Sequence, residues 1–307
     1  MAIRHKVNEH NSINVCSLCP RNCNIDRSLR TGVCGSSNII RIARADLHFY
    51  EEPCISGKNG SGAVFFSGCA MHCVFCQNEK ISGGVKGMDI STEQLTEIFF
   101  ELKERKAHNI NLVTGDHYIP EIADAIKRAR SGGLDIPFIF NCSGYEKAET
   151  LRIIDGLIDV YLPDMKYAES ELAKKYSNAE DYPDVVKDAI SEMVRQQPQI
   201  EFDTEGMIKK GVIVRNLLLP GHVMNSKKVL RYLHETYGNQ IYVSIMSQYT
   251  PMKAFPDSLQ KLNRRVKKGE YERLTDYAIK LGIENAYIQE MNSSGKDFIP
   301  DFNLENP

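Results

Sequence analysis

The sequence predicts an α/β fold: a parallel sheet covered by helices and curved into a partial (β/α) barrel, preceded by a small Cys-rich module. Three features of the chain carry this. Six or more β-then-α units follow one another between about residues 58 and 292. Their strands read as short, almost continuous apolar runs, the pattern of strands buried on both faces. No Gly-x-Gly-x-x-Gly follows the first of them, which argues against a dinucleotide-binding sheet and for a barrel with its chemistry at the carboxyl ends of the strands.

The elements follow in order. "GAVFFSG" is a buried strand bounded by Gly62 and Gly68. "STEQLTEIFFELKERK" is an amphipathic helix with Leu95, Ile98, Phe99 and Leu102 on one face, a Ser91–Gln94 capping box and a basic last turn. "NINLVT" is a strand followed by a helix from about Pro120 to Arg130, and "PFIFNC" a strand followed by a helix over "KAETLRIID". "LIDVYLPDM" leads to helical segments between Glu169 and Gln196, and "GVIVRNLLLPG" to a helix over "SKKVLRYLHETY". "IYVSIMSQY", a helix over "EYERLTDYAIKLG" and the short strand "NAYIQE" complete the series. The stretch before Gly57 is polar and shows little periodicity, and the tail 293–307 reads as coil. The division is therefore an amino-terminal module 1–57, a barrel 58–292 and a tail.

Composition limits the function classes. A net charge of -2 over 307 residues provides no basic field for nucleic acid. The first fifteen residues contain no apolar core of a signal peptide, and no run approaches the ~18 apolar residues that span a bilayer, so a cytoplasmic location is expected. In that reducing compartment nine cysteines are not a disulfide framework. Seven of them fall in two tight groups, which reads as metal binding.

The central group is Cys69, Cys73 and Cys76, spaced C-x3-C-x2-C on the loop leaving the first barrel strand. Structural zinc prefers four ligands and paired C-x2-C knuckles. No obvious fourth donor lies nearby, and His72 would crowd its neighbours. Three thiolates suit an iron–sulfur cluster with one iron left open to a ligand. Residues at the other strand ends join the candidates: Thr114 to Tyr118, Cys142 to Tyr145, Asp164 to Lys166, Pro220 to His222, and Gln248. Arg215 stands inside an apolar strand, where a charge must be paired or face a cavity, and a carboxylate ligand would satisfy its fork. Cys54 and Cys142 lie outside both groups and read as core or incidental thiols.

"CAMHCVFC", with Phe75 at its aromatic position, resembles the C-x3-C-x-aromatic-C loop of the radical S-adenosylmethionine (SAM) enzymes. Together with "NLVTGDHY", "NCSGY", "YLPDMKY", "RNLLLPG" and "MSQYTP" it is similar to their pyruvate formate-lyase activating enzyme-like branch, among members with a Cys-rich amino terminus. The resemblance implies a 4Fe-4S cluster on the three thiolates and SAM on its open iron. It also implies reductive cleavage to a 5′-deoxyadenosyl radical, and hydrogen abstraction from a substrate such as a protein or a glycyl-radical enzyme. It implies SAM contacts at Phe75, Thr114, Gly115, Ser143, Asp164, Lys166, Arg215 and Gln248, with Lys166 and Arg215 against the carboxylate. Where the family shows Gly-Gly-Glu-Pro this chain has "TGDHY", which leaves the roles of Asp116 and His117 open. A low-potential donor of flavodoxin or ferredoxin type is the implied reductant.

The amino-terminal group, Cys16, Cys19, Cys23 and Cys34, is spaced C-x2-C-x3-C-x10-C in a segment too polar to bury four thiols. It reads as a second metal site, an auxiliary iron–sulfur cluster or zinc, that staples the segment. Two other function classes stay open at this level: an iron–sulfur electron carrier, and a zinc-binding interaction module.

Overall fold

A computed structural model of the chain describes residues 15–289 and Phe302. The expected carboxy-terminal tail therefore lies outside the described residues, Phe302 excepted.

Ten strands are present among the described residues: β1 Ile40–His48, β2 Ser61–Phe66, β3 Met88–Ile90, β4 Ile110–Val113, β5 Phe138–Cys142, β6 Val160–Pro163, β7 Glu201–Phe202, β8 Ile208–Leu217, β9 Tyr242–Met246 and β10 Ala286–Ile288. They order as β10-β9-β8-β6-β5-β4-β2-β1-β3, with β7 paired to β8 off this path. From β2 to β10 every neighbouring pair is parallel. The sheet ends at β10 on one side and β3 on the other, so it is open rather than a closed barrel. Every residue of β2, β4, β5 and β6 is buried, because helices cover one face and the concave face is filled.

The helix Thr92–Glu104 forms as its sequence dictates. Ser91 Oγ accepts from the Gln94 N–H at 3.2 Å and Gln94 Oε1 accepts from the Ser91 N–H at 2.9 Å, while Leu95, Phe99 and Leu102 turn inward. Helix Ile119–Ser131 lies beside it and buries Ile122, Ala125, Ile126 and Ala129.

The segment before Gly57 contributes a strand to the main sheet. β1 runs antiparallel to β2 from Ile42–Phe66 to His48–Ser61, so residues on both sides of the expected boundary share one sheet. The strand escapes a search for apolar runs because it lies next to the sheet's last strand, where its charged residues stay half-exposed and find ion-pair partners. Arg41 pairs with Asp89 at 2.6 Å on β3, and Arg44 and Arg105 both reach Asp46 at 2.5 Å.

Candidate active site

The carboxyl ends of β2, β4, β5, β6, β8 and β9 enclose a cleft of about 240 Å³. Its first wall is the loop that leaves β2. Gly68 opens that loop with φ +96°, and a Cβ there would lie 2.6 Å from the Cys34 carbonyl, so only glycine lets the amino-terminal segment press on it. Cys69, Cys73 and Cys76 all line the cleft, and none is disulfide-bonded. Met71 N–H donates to Cys69 Sγ at 3.4 Å and Ser177 Oγ donates to Cys73 Sγ at 3.1 Å. Burial, followed by Asp116 and the neighbouring thiols, holds Cys69 well above the ordinary thiol range. Burial and Cys73 push Cys76 up to about 11.

Thiols raised in this way become thiolates only when a cation joins them. Among the described residues no three His, Cys, Asp or Glu side chains converge as the ligands of one metal ion do. A four-iron cluster makes no such demand, because each thiolate binds a different iron. Three facing thiols around an open cleft fit that donor set.

The opposite wall carries the polar strand-end residues. Thr114, at φ +59°, follows β4 and lines the cleft. Gly115 does not line it; a Cβ there would meet Ile122 at 2.6 Å, so this glycine serves the packing of the next helix. Ser143 lines the cleft and donates from Oγ to Glu146 at 3.0 Å. Asp164 and Lys166 line it and pair with each other. Burial lowers the Lys166 pKa, but Asp164 and the Cys73 thiol outweigh that and hold it above the ordinary lysine range. Tyr182 fixes both strand ends, since its hydroxyl contacts Ser143 O at 2.8 Å, Asp164 O at 2.7 Å and the Lys166 N–H at 3.0 Å. Phe75 lines the cleft edge-on to Tyr176 and Tyr249, each centroid 6.2 Å away. Gln248 lines it too, accepting from Gln289 Nε2 at 2.9 Å.

Further placements bear on what the sequence implied. Arg215 lines the cleft, but its fork is taken from within the chain: Nε donates to Glu52 Oε1 at 3.0 Å and an η nitrogen to Glu52 Oε2 at 2.9 Å, while the same η nitrogen reaches Glu51. The carboxylate that satisfies this buried guanidinium is therefore a glutamate. Cys142 is a core thiol, as expected, and at the end of β5 it is also part of the cleft wall, raised well above the thiol range by burial and Glu146. Asp116 and His117 are buried and turned away from the cleft, with neither Asp116 oxygen hydrogen-bonded and His117 Nδ1 3.7 Å from Asp116 Oδ1. Cys54 sits among Ile55, Ile139 and Val160, as a core thiol does.

The wall also holds residues that sequence reasoning missed: His48, Tyr50, Glu51 and Asn141. The one available signal was the acidic pair in "FYEEP", set in a polar segment of little periodicity.

The amino-terminal cysteines sit directly behind the cluster loop. Cys34 O accepts from the Cys69 N–H at 3.0 Å, His72 Nε2 contacts Val33 O at 2.5 Å, and Arg21 donates to Ala70 O at 2.9 Å and Ser177 O at 3.0 Å. Burial and then Asp116 push Cys19 up to about 12, and burial raises Cys34. Val33 N–H donates to Cys23 Sγ at 3.3 Å, while Cys16 pairs through its backbone with Ile25 at 2.8 Å.

A cysteine triad on the first parallel strand's loop, facing a cleft at the strand ends, defines a class of protein. Residues 63–198 match the model of the Radical SAM superfamily. Over 283 residues the chain is 27% identical to the uncharacterized protein MJ0674 of Methanocaldococcus jannaschii, covering 89% of this chain and 76% of that one. Among solved structures it is similar to methylornithine synthase (PylB), with a TM-score of 0.49, 15% identity and 72% of this chain covered. It is also similar to Streptococcus suis SuiB bound to precursor peptide SuiA, with a TM-score of 0.45, 14% identity and 72% covered. The match spans 60% of the first of these chains and 46% of the second. No helix among the described residues is long and apolar enough to cross a membrane.

Proposed function

We propose that this protein is a radical SAM enzyme, an oxidoreductase that cleaves SAM reductively at a 4Fe-4S cluster held by Cys69, Cys73 and Cys76. The single observation behind this reading is that these three thiols share one cleft at the carboxyl ends of parallel strands, on the loop leaving β2. A cluster on these thiolates, once reduced by an external donor, would supply the electron for cleaving SAM, and SAM would supply the group that removes a hydrogen atom from the substrate.

The chain's own residues bind and orient. Lys166, kept cationic beside the thiols, neutralises the SAM carboxylate, and Asp164 accepts from its ribose or amino group. Thr114 and Ser143 offer polar contacts from β4 and β5, Gln248 from β9, and the Phe75 ring closes the adenine side. Tyr176 and Tyr249 hold that ring edge-on and help to keep water from the reacting atoms.

The finer assignment is an activating-enzyme-like protein acting on a peptide or protein, such as a glycyl-radical enzyme, with a flavodoxin- or ferredoxin-like donor. It rests on the motif resemblance. Cys16, Cys19, Cys23 and Cys34 complete the reading as a second metal centre, an auxiliary iron–sulfur cluster or zinc.

Anaerobic reconstitution with iron and sulfide, followed by SAM and dithionite, tests the reading. 5′-Deoxyadenosine and methionine are expected. A protein that takes up iron yet forms neither is not a radical SAM enzyme.

A further inference from the structure

A second cavity of about 390 Å³ adjoins the cleft on the side of β9 and β10. Tyr50, Glu51, Arg215, Met246 and Gln248 line both, so one wall belongs to the two cavities. That wall contains buried charge: the side chains of Arg215, Glu51 and Glu52 are only 12%, 10% and 7% exposed. Glu52 takes the fork of Arg215 through both oxygens. Glu51 reaches the same guanidinium and accepts at Oε1 from Asn111 at 3.0 Å and Asn141 at 3.2 Å.

Two carboxylates thus face one guanidinium. Elsewhere around the two cavities the charged side chains Asp164 and Lys166 cancel each other. Burial holds His48 below the ordinary histidine range, so it adds no positive charge at neutral pH. His72 turns its ring nitrogen to the Val33 carbonyl, at the amino-terminal segment. Among the described residues the shared wall keeps one negative charge in excess. A buried charge without a counter-charge is costly, and the second cavity is where a counter-charge can enter. Its other surfaces are Phe49, Pro53 and Ile288, with Ser244, Tyr287 and Gln289 between them. A lining of mixed character, with apolar Phe49, Pro53, Met246 and Ile288 beside placed polar groups, at the lower end of the ~300–1,000 Å³ of small-molecule sites, suits one amphipathic side chain of a peptide.

We propose that this cavity is the substrate pocket and that it takes an alkyl arm ending in a primary ammonium, the ammonium lying against Glu51. The word substrate rests on the radical SAM reading; the preference for a cation does not. The sulfonium of SAM is also a cation, so the test must separate the two.

Calorimetry on the anaerobically reconstituted protein, with and without saturating SAM, compares N-acetyl-L-lysine amide with N-acetyl-L-norleucine amide, which differ only in the terminal ammonium. The lysine probe should bind roughly tenfold tighter or better, as one charge-assisted hydrogen bond gives, and alongside SAM. Ile288→Lys places a competing ammonium at a half-exposed position that lines only this cavity, and should remove the preference without changing iron content. Equal affinity for the two probes, no binding of either, or displacement of SAM by the lysine probe overturns the proposal. Failure of the radical SAM reading is distinguishable, because it appears as absent SAM binding and absent 5′-deoxyadenosine, whereas the probe contrast requires no turnover.

Discussion

The backbone N–H of Cys69 donates to the carbonyl of Cys34 at 3.0 Å, joining the two cysteine groups through one hydrogen bond. His72–Val33 and Arg21–Ala70 reinforce the joint on the same loop. If the groups ligate separately, as expected, these contacts should still couple them in stability. Replacing Cys16 and Cys19 together by Ala should lower metal content and leave residues 15–36 open to protease, since the ordering of such a segment is largely metal-binding free energy. A loss of about four irons marks a cluster, and a loss of one zinc a structural site. The central cluster should persist but lose iron to a chelator faster than in the wild type. Unchanged metal content with a protected segment would mean that these cysteines are free thiols.

Cys73→Ala should abolish 5′-deoxyadenosine formation, because two thiolates do not hold a cluster that uses three. The fold should survive, as the loop lies on the rim and Cys73 is only partly buried. Iron and sulfide assays beside circular dichroism separate loss of the cluster from loss of the fold. SAM cleavage at the wild-type rate would remove the central group from the mechanism.

Arg215→Gln should act on stability before it acts on SAM. It strands Glu51 and Glu52 in a buried wall, and breaking a buried ion pair from one side costs about 3–5 kcal/mol. Urea denaturation should show that loss, and Glu52→Gln introduced with it should restore part of it by removing the stranded charge. A tenfold weaker SAM affinity at unchanged stability would return Arg215 to the cofactor.

Those glutamates mark where the sequence stopped being legible. The cysteine loop could be read because its three ligands lie within eight residues, and the barrel strands because burial on both faces leaves an unbroken apolar run. Glu52 and Arg215 are 163 positions apart, and only the fold brings β1's exit loop against β8. β1 itself shows little periodicity because its charged residues are satisfied by ion pairs near the end of the sheet. Asp116 keeps the acidic character of the family's strand-end motif, yet the left-handed Thr114 and the turn after it direct that side chain behind the cleft, a matter of two dihedrals that composition does not encode.

Behind the cleft, Glu146 should impose a pH dependence on stability. Burial, followed by the neighbouring Asp116, raises its carboxyl to about 8, against hydrogen bonds from Cys142 and Ser143 that favour the charged form. In the unfolded chain the same group titrates near the ordinary ~4.3. Between these values the folded protein binds a proton that the unfolded chain has released. Stability from this group is therefore fully present below the unfolded value, is lost as pH rises toward about 8, and is flat beyond. The slope is at most about 1.4 kcal/mol per pH unit. Urea denaturation at pH 5.5, 7 and 8.5 should show stability falling over both steps, less steeply once pH passes about 8. Glu146→Gln, which keeps an acceptor for the Ser143 hydroxyl and has no proton to release, should flatten the profile. A profile unchanged by that substitution would assign the slope to other groups and leave Glu146 ionised in the fold.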